Sequence, residues 1–238
     1  MSVLEEFIDI IYPPRCQFCR DFLWNDSLPQ DRQGLPLCSA CLMDLKAVSS
    51  PVCTLCGRPF QSGMDQDHLC EGCLRRRPFF DRAGAPYLYE GTMMSALHQF
   101  KYGGKSAMAA SLGPLLAAFA DTWMTKREEV LVMPVPLHFK RLRERGFNQS
   151  LLLARHVSSL LKSGLDFLSL RRVRYTSPQA GLKSSERRKN VRRAFQVMDE
   201  DVDFDSLPTL GLGRLGLSKL VHGGNCGNAL KTPKTRGK

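Results

Sequence analysis

The chain of 238 residues has no apolar run approaching 18 residues, so no segment of it reads as a membrane-spanning helix. Its N-terminus carries Glu5, Glu6 and Asp9 where a secretory signal would have a cationic region and then a long apolar one. These two absences predict a cytoplasmic protein, in which nine cysteines are better explained as metal ligands than as disulfides. A third absence is local. Residues 207–238 contain no Asp or Glu, but seven glycines and six Lys or Arg, with no strand-length apolar run and no clear helix. Acids are also scarce between residues 140 and 193, where 15 Lys or Arg face only Glu144, Asp166 and Glu186. That stretch accounts for the whole net charge of +11, and an excess of this size points to anionic partners.

What is present begins with cysteine. Eight of the nine fall between residues 16 and 73 as four C-x-x-C pairs: Cys16/Cys19, Cys38/Cys41, Cys53/Cys56 and Cys70/Cys73. Two thiolates three positions apart can grip one tetrahedral zinc ion from a tight turn, and eight ligands suffice for two four-cysteine sites. The spacings favour sequential pairing, first with second and third with fourth, and leave an interleaved pairing open. Four protein ligands per ion leave no open coordination position, so these are structural zinc sites. His68 reads as a loop residue, and Cys226 as an incidental thiol. Ahead of the cysteines, Leu4, Phe7, Ile8 and Ile11 have the spacing of one helix face.

Beyond residue 78 the pattern becomes that of an α/β domain. Residues 85–89 (APYLY) read as a strand, and Met94, Leu97, His98 and residues 100–102 as a short helix that partly buries His98. Met108, Leu112, Leu115, Leu116, Phe119 and Trp123 mark a long amphipathic helix, and residues 130–133 a buried strand. The sequence PVPLHFKRLRERGFNQ (134–149) then gives a polycationic loop with Lys140, Arg141, Arg143, Arg145 and Gly146. Asn148 caps a helix over 148–163 that Gly164 stops. Guanidinium forks match phosphate oxygens, a helix start adds N–H groups, and the carboxyl end of a strand is where α/β sheets bind ligands. A second basic stretch, RRVRYTSPQAGLKSSERRKNVRRAF (171–195), reads as a mobile loop and then a short helix suited to a nucleic-acid backbone.

These two basic stretches, the four C-x-x-C pairs and FKYGG at residues 100–104 resemble the ComF family of competence proteins, which are phosphoribosyltransferase-like, over roughly residues 1–198. The resemblance implies a double zinc ribbon joined to a type I phosphoribosyltransferase-like parallel sheet. It also implies a link to DNA uptake and to DNA-uptake proteins, and binding of phosphoribosyl pyrophosphate or single-stranded DNA. By position, Lys101, Lys140, Arg141, Arg143, Arg145 and Gly146 would contact pyrophosphate. Gln179, Gly181, Arg187, Arg188 and Asn190 would belong to a flexible loop closing over the site. The two adjacent acids and the Thr/Gly-rich turn that should follow, holding ribose, 5′-phosphate and Mg²⁺, are missing. The implied organisation is a ribbon module at 1–78, a C-terminally incomplete sheet domain at 79–206 and a basic tail at 207–238. That tail is expected to be disordered or derived from a shift of reading frame near codon 207, leaving a central sheet strand missing and phosphoribosyl transfer unsupported. Gly211-x-Gly213-x-x-Gly216 lacks the strand, helix and acid of a dinucleotide site.

Overall fold

Phe100, Val132 and Val157 are almost completely buried, and they come from the three segments that the apolar patterning marks out: two helices and the strand between them. The structure is a computed structural model that describes residues 11–23, 35–60, 66–123, 130–198, 209–212 and 218–221. The proposed helix face at Leu4, Phe7 and Ile8 lies outside these residues, as does Cys226. Two short helices, α1 (Ser39–Met43) and α2 (Glu71–Arg75), open directly after Cys38 and Cys70. The body then runs β1 (Arg82–Gly84), α3 (Gly91–Tyr102), a 3-10 turn (Ser106–Met108) and α4 (Ala109–Trp123). It continues through β2 (Leu131–Pro134), α5 (Phe139–Arg145), α6 (Gln149–Leu161), β3 (Gly164–Leu165) and β4 (Leu170–Arg172). After α7 (Ser184–Val191) and β5 (Phe195–Val197) come two last strands, β6 (Thr209–Leu212) and β7 (Ser218–Val221).

The class is α/β, with a small parallel sheet at its centre and a double zinc ribbon at its start. The sheet order is β1-β7-β6-β2-β3. Strand β2 runs parallel to β3 on one side and to β6 on the other, and β7 and β1 complete the sheet antiparallel. Helices α4 and α6 pack against each other, and Gly113 of α4 lets them touch: a Cβ there would lie 2.2 Å from the His156 ring. Strands β4 and β5 form a separate antiparallel pair that brackets the second basic stretch.

Four expectations need correction. The composition of residues 207–238 predicts no strand there and a sheet short of a central one, yet Thr209–Leu212 and Ser218–Val221 are strands and β6 lies beside β2. An otherwise open edge of β2 offers a row of backbone partners, and pairing of this kind overrides a glycine-diluted composition. The remainder of the tail lies outside the described residues. The strand expected over 85–89 is displaced to Arg82–Gly84, because Pro86 has no N–H to donate. Segment 86–88 instead pairs with the ribbon exit: Val48 N–H donates to Pro86 O at 3.0 Å and Leu88 N–H to Lys46 O at 2.8 Å. The polycationic loop is a helix over Phe139–Arg145. Helix α6 ends at Leu161, with Lys162 taking the left-handed cap, so Gly164 is free to begin β3.

Candidate functional site

The cysteines pair sequentially. The sulfurs of Cys16, Cys19, Cys38 and Cys41 lie within 4.8 Å of one another, as do those of Cys53, Cys56, Cys70 and Cys73. A tetrahedron with Zn–S bonds of about 2.3 Å has an S–S edge of roughly 3.8 Å. The Cys19–Cys38 and Cys56–Cys70 sulfurs stand 3.6 and 3.7 Å apart, so the chain's own geometry fits the ion. Burial pushes the Cys16 and Cys53 thiols up, but converging backbone N–H groups more than offset it. Cys16 falls to about 7 and Cys53 to about 6, the latter helped by the amides of Cys56 and Cys70. Cys19 is pushed up to about 12, and Cys41, Cys56 and Cys73 are raised as well, by burial first and then by neighbouring thiols. Each cluster thus holds one sulfur predisposed to be a thiolate. His68 is no ligand; its ring stacks on Phe60 at 3.9 Å.

Both ribbons are fastened to the body. In the first knuckle, Gln17 Oε1 accepts from the buried Ser111 hydroxyl of α4 at 2.8 Å, and Phe18 O accepts from Gln99 of α3 at 3.5 Å. In the second, Leu55 O accepts from Ala83 N–H of β1 at 2.8 Å. The following turn needs Gly57, at φ +67°, where a Cβ would meet Ala83 O at 2.5 Å.

The basic surface grows from the carboxyl end of β2, the middle strand of the parallel part of the sheet. His138 caps α5, its Nδ1 accepting from Lys140 N–H at 3.3 Å, and Gly146 ends the helix in the left-handed conformation. Asn148 then caps α6 by accepting from Ser150 N–H at 3.1 Å. The two helix starts fold back around one strand end. Tyr175, from the second basic stretch, lies against this surface: its ring centroid is 5.2 Å from the Arg141 guanidinium, 5.6 Å from Lys140 Nζ and 5.5 Å from the His138 ring. The two basic stretches therefore share one surface. Arg141 also pairs with Glu144 at 2.7 Å, and its buried Nε has no partner among the described residues. Arg143 faces solvent beside Phe139.

Lys101 and Arg145 come together through a residue that sequence reading passed over. Gln149 is buried; its Oε1 accepts from Arg145 at 3.2 Å and its Nε2 donates to Lys101 O at 3.4 Å. Its place in the first turn of α6 was the only signal available. In the second stretch, Gln179 and Arg187 line a cavity of about 870 Å³ together with Lys101, whereas Gly181 and Arg188 lie on the exposed surface. Asn190 Nδ2 donates to Ser177 O at 2.9 Å, and its own carbonyl accepts from Arg174. His98, expected to be partly buried, is exposed at the cavity mouth 4.8 Å from the Tyr102 ring.

These observations define a double-zinc-ribbon α/β protein in which two basic stretches meet at Tyr175. No helix among the described residues is long and apolar enough to cross a membrane. Residues 7–74 match the double zinc ribbon domain family. The chain is 30% identical over 219 residues to competence protein F of Haemophilus influenzae, covering 87% of this chain and 90% of that protein. It belongs to the competence protein F (ComF) family. It is also 29% identical over 205 residues to the DNA utilization protein YhgH of Salmonella typhi, covering 79% of this chain and 86% of that one. To competence protein ComFC of Bacillus subtilis it is 28% identical over 145 residues, 58% of each chain. No solved structure is significantly similar to it.

Proposed function

We propose that this protein acts in DNA uptake by binding single-stranded DNA on the surface formed by α5, the start of α6 and the Tyr175 loop, and that it does not transfer phosphoribosyl groups. The observation that carries this reading is the convergence of two basic stretches around Tyr175. Phosphate-directed cations and an aromatic face together are what an unpaired strand requires. The names of the relatives, a competence protein and a DNA utilization protein, supply the setting. Proteins of the uptake machinery are the natural partners.

A second reading rests on the strand–cation–helix order at 131–161, which suits the pyrophosphate of phosphoribosyl pyrophosphate in a type I phosphoribosyltransferase-like site. Lys140, Arg141, Arg143, Arg145 and Gly146 would form its contact loop with Lys101 beside it, and Gln179, Gly181, Arg187, Arg188 and Asn190 its cover. Against transfer stands the sequence after β6, Gly-Arg-Leu-Gly-Leu at 213–217, in a tail with no carboxylate to hold ribose hydroxyls or Mg²⁺. The test is anisotropy of a labelled single strand, followed by calorimetry with phosphoribosyl pyrophosphate and Mg²⁺. The first reading expects strand binding that Arg145→Ala weakens. Saturable phosphoribosyl pyrophosphate binding lost in Arg145→Ala, without strand binding, would replace it with the second.

A further inference from the structure

The second zinc knuckle has a surface that its structural role leaves unexplained. Cys56, Gly57 and Arg58 form one wall of the 870 Å³ cavity, whose volume lies in the range of about 300–1,000 Å³ usual for small-ligand sites. The opposite walls are apolar side chains of α3 and α4, chiefly Leu97, Leu112 and Leu115, with Tyr87 beside them. The mouth differs in character. Among the lining residues, Arg58 and Arg187 are exposed and Lys101 is half-buried, so they bring positive charge to it, and half-buried Gln179 brings an amide that can both donate and accept.

This mouth opens onto the basic surface rather than onto neutral solvent-facing protein. Tyr102 lines the cavity and carries the Arg145 guanidinium 5.1 Å from its ring centroid. Gln149 ties the Lys101 backbone to the same Arg145. An apolar chamber, an amide at its rim and cations along its threshold fit a flat, weakly polar ring attached to a phosphate. A fatty acid would need no amide at the rim, and a free sugar phosphate would gain nothing from the leucine walls.

We infer that the cavity between the second zinc knuckle and helices α3 and α4 receives one nucleobase, whose phosphate lies outside on the Lys101–Arg145 side. The inference rests on the phosphate-binding reading above and goes beyond it. That reading needs the backbone of a strand and a base resting on the open Tyr175 face, whereas here a base is turned out of the strand and enclosed. The second ribbon then serves as a wall of the binding site.

The experiment compares a labelled oligothymidylate with an abasic strand of the same length, on wild-type protein and on Leu115→Trp, which replaces a half-buried leucine of the apolar wall with a bulkier ring that projects into the chamber. Enclosure of a base predicts that the thymidylate binds on the order of tenfold more tightly than the abasic strand. In Leu115→Trp that ratio falls to the part that stacking on Tyr175 supplies while abasic affinity is unchanged, and a ratio left at its wild-type value overturns the inference. Should Leu115→Trp lose abasic binding too, Gln179→Leu on the outer loop decides, and it must lower only thymidylate affinity. Equal binding of both strands by wild type overturns the inference and leaves only the phosphate contacts of the earlier reading intact. Binding of neither strand overturns both. Given a supporting ratio, displacement by thymidine monophosphate but not by ribose 5-phosphate assigns the chamber to free nucleotides as well. Displacement by neither assigns it to bases within a strand.

Discussion

Changing the salt concentration tests the basic surface more sharply than any single substitution. Lys140, Arg143, Arg145, Arg187 and Arg188 have no carboxylate partner among the described residues, whereas Arg141 is paired with Glu144 and is discounted. Each phosphate neutralised on a single strand releases counterions, contributing about −0.7 to the slope of log K against log salt. Engagement of all five side chains therefore predicts a slope near −3.5, or roughly a hundredfold loss of affinity between about 50 and 200 mM salt. Arg145→Ala should flatten the slope by about 0.7, and Arg141→Ala by less, because removing that cation also frees Glu144. The assay is anisotropy of a labelled single strand at four or more salt concentrations. A slope shallower than about −1.5, or one that Arg145→Ala leaves unchanged, would refute the claim that these side chains contact phosphate.

Three further outcomes follow from the packing and the thiols. Gly113→Ala places a methyl group 2.2 Å from the His156 ring and should destabilise the body by about 1–3 kcal/mol in chemical denaturation. His156→Ala in the same chain should recover most of that loss, and failure to recover it would place the strain elsewhere. Elemental analysis should find two zinc ions per chain, one for each cluster. Loading the metal-free protein near neutral pH should release at least the protons of Cys19, Cys41, Cys56 and Cys73, whose thiols are all pushed up. The sign for Cys53 is opposite. Its thiolate is favoured by folding, so its contribution to the metal-free fold is complete above the ordinary thiol value of 9 and is lost as pH falls through about 6. Calorimetric zinc titrations in buffers of different ionisation enthalpy count the protons, and a release below about four per chain would contradict the assignment.

Features set by short-range chemistry were legible in the sequence. The C-x-x-C spacing gave the pairing that the sulfur positions bear out, Asn148 caps its helix, and the stripe from Met108 to Trp123 buries as its period requires. The misses all depended on partners distant in sequence or on weak local signals. Residues 139–145 looked like a loop because four cations hide any apolar stripe. Yet Arg, Lys, Leu and Glu are good helix formers, and His138 and Gly146 supply the ends. Gly84 is a poor strand residue by composition, but the Trp123 ring lies where its Cβ would be, so only glycine fits there. The strands at Thr209–Leu212 and Ser218–Val221 are explained by the open side of β2, which no local pattern announces. Gln149 had only its place in the first turn of α6 to mark it, because its importance lies in joining Lys101, far back in the chain, to Arg145.

The ribbons and the body share more than a linker, and this can be tested by cutting between them. Cys16, Phe18, Leu37 and Leu42 belong to the same buried cluster as Phe100, Leu112 and Val132. Phe18, Leu23, Leu35, Leu37 and Leu42 are each at most 9% exposed. At about 1.5–3 kcal/mol for each such side chain, their burial amounts to roughly 10 kcal/mol. Half of that, counting the rest as internal to the ribbon, is still a large part of the roughly 5–15 kcal/mol that typically holds a domain folded. A chain beginning at residue 79 would also leave Ser111 without Gln17 and β1 without Leu55. It should therefore be recovered as aggregate, or as a soluble form without a cooperative thermal transition. A fragment that unfolds cooperatively near the full chain's midpoint would show that the zinc modules are appendages. The shared core argues that zinc occupancy at the first cluster is instead a condition for the cationic surface to exist.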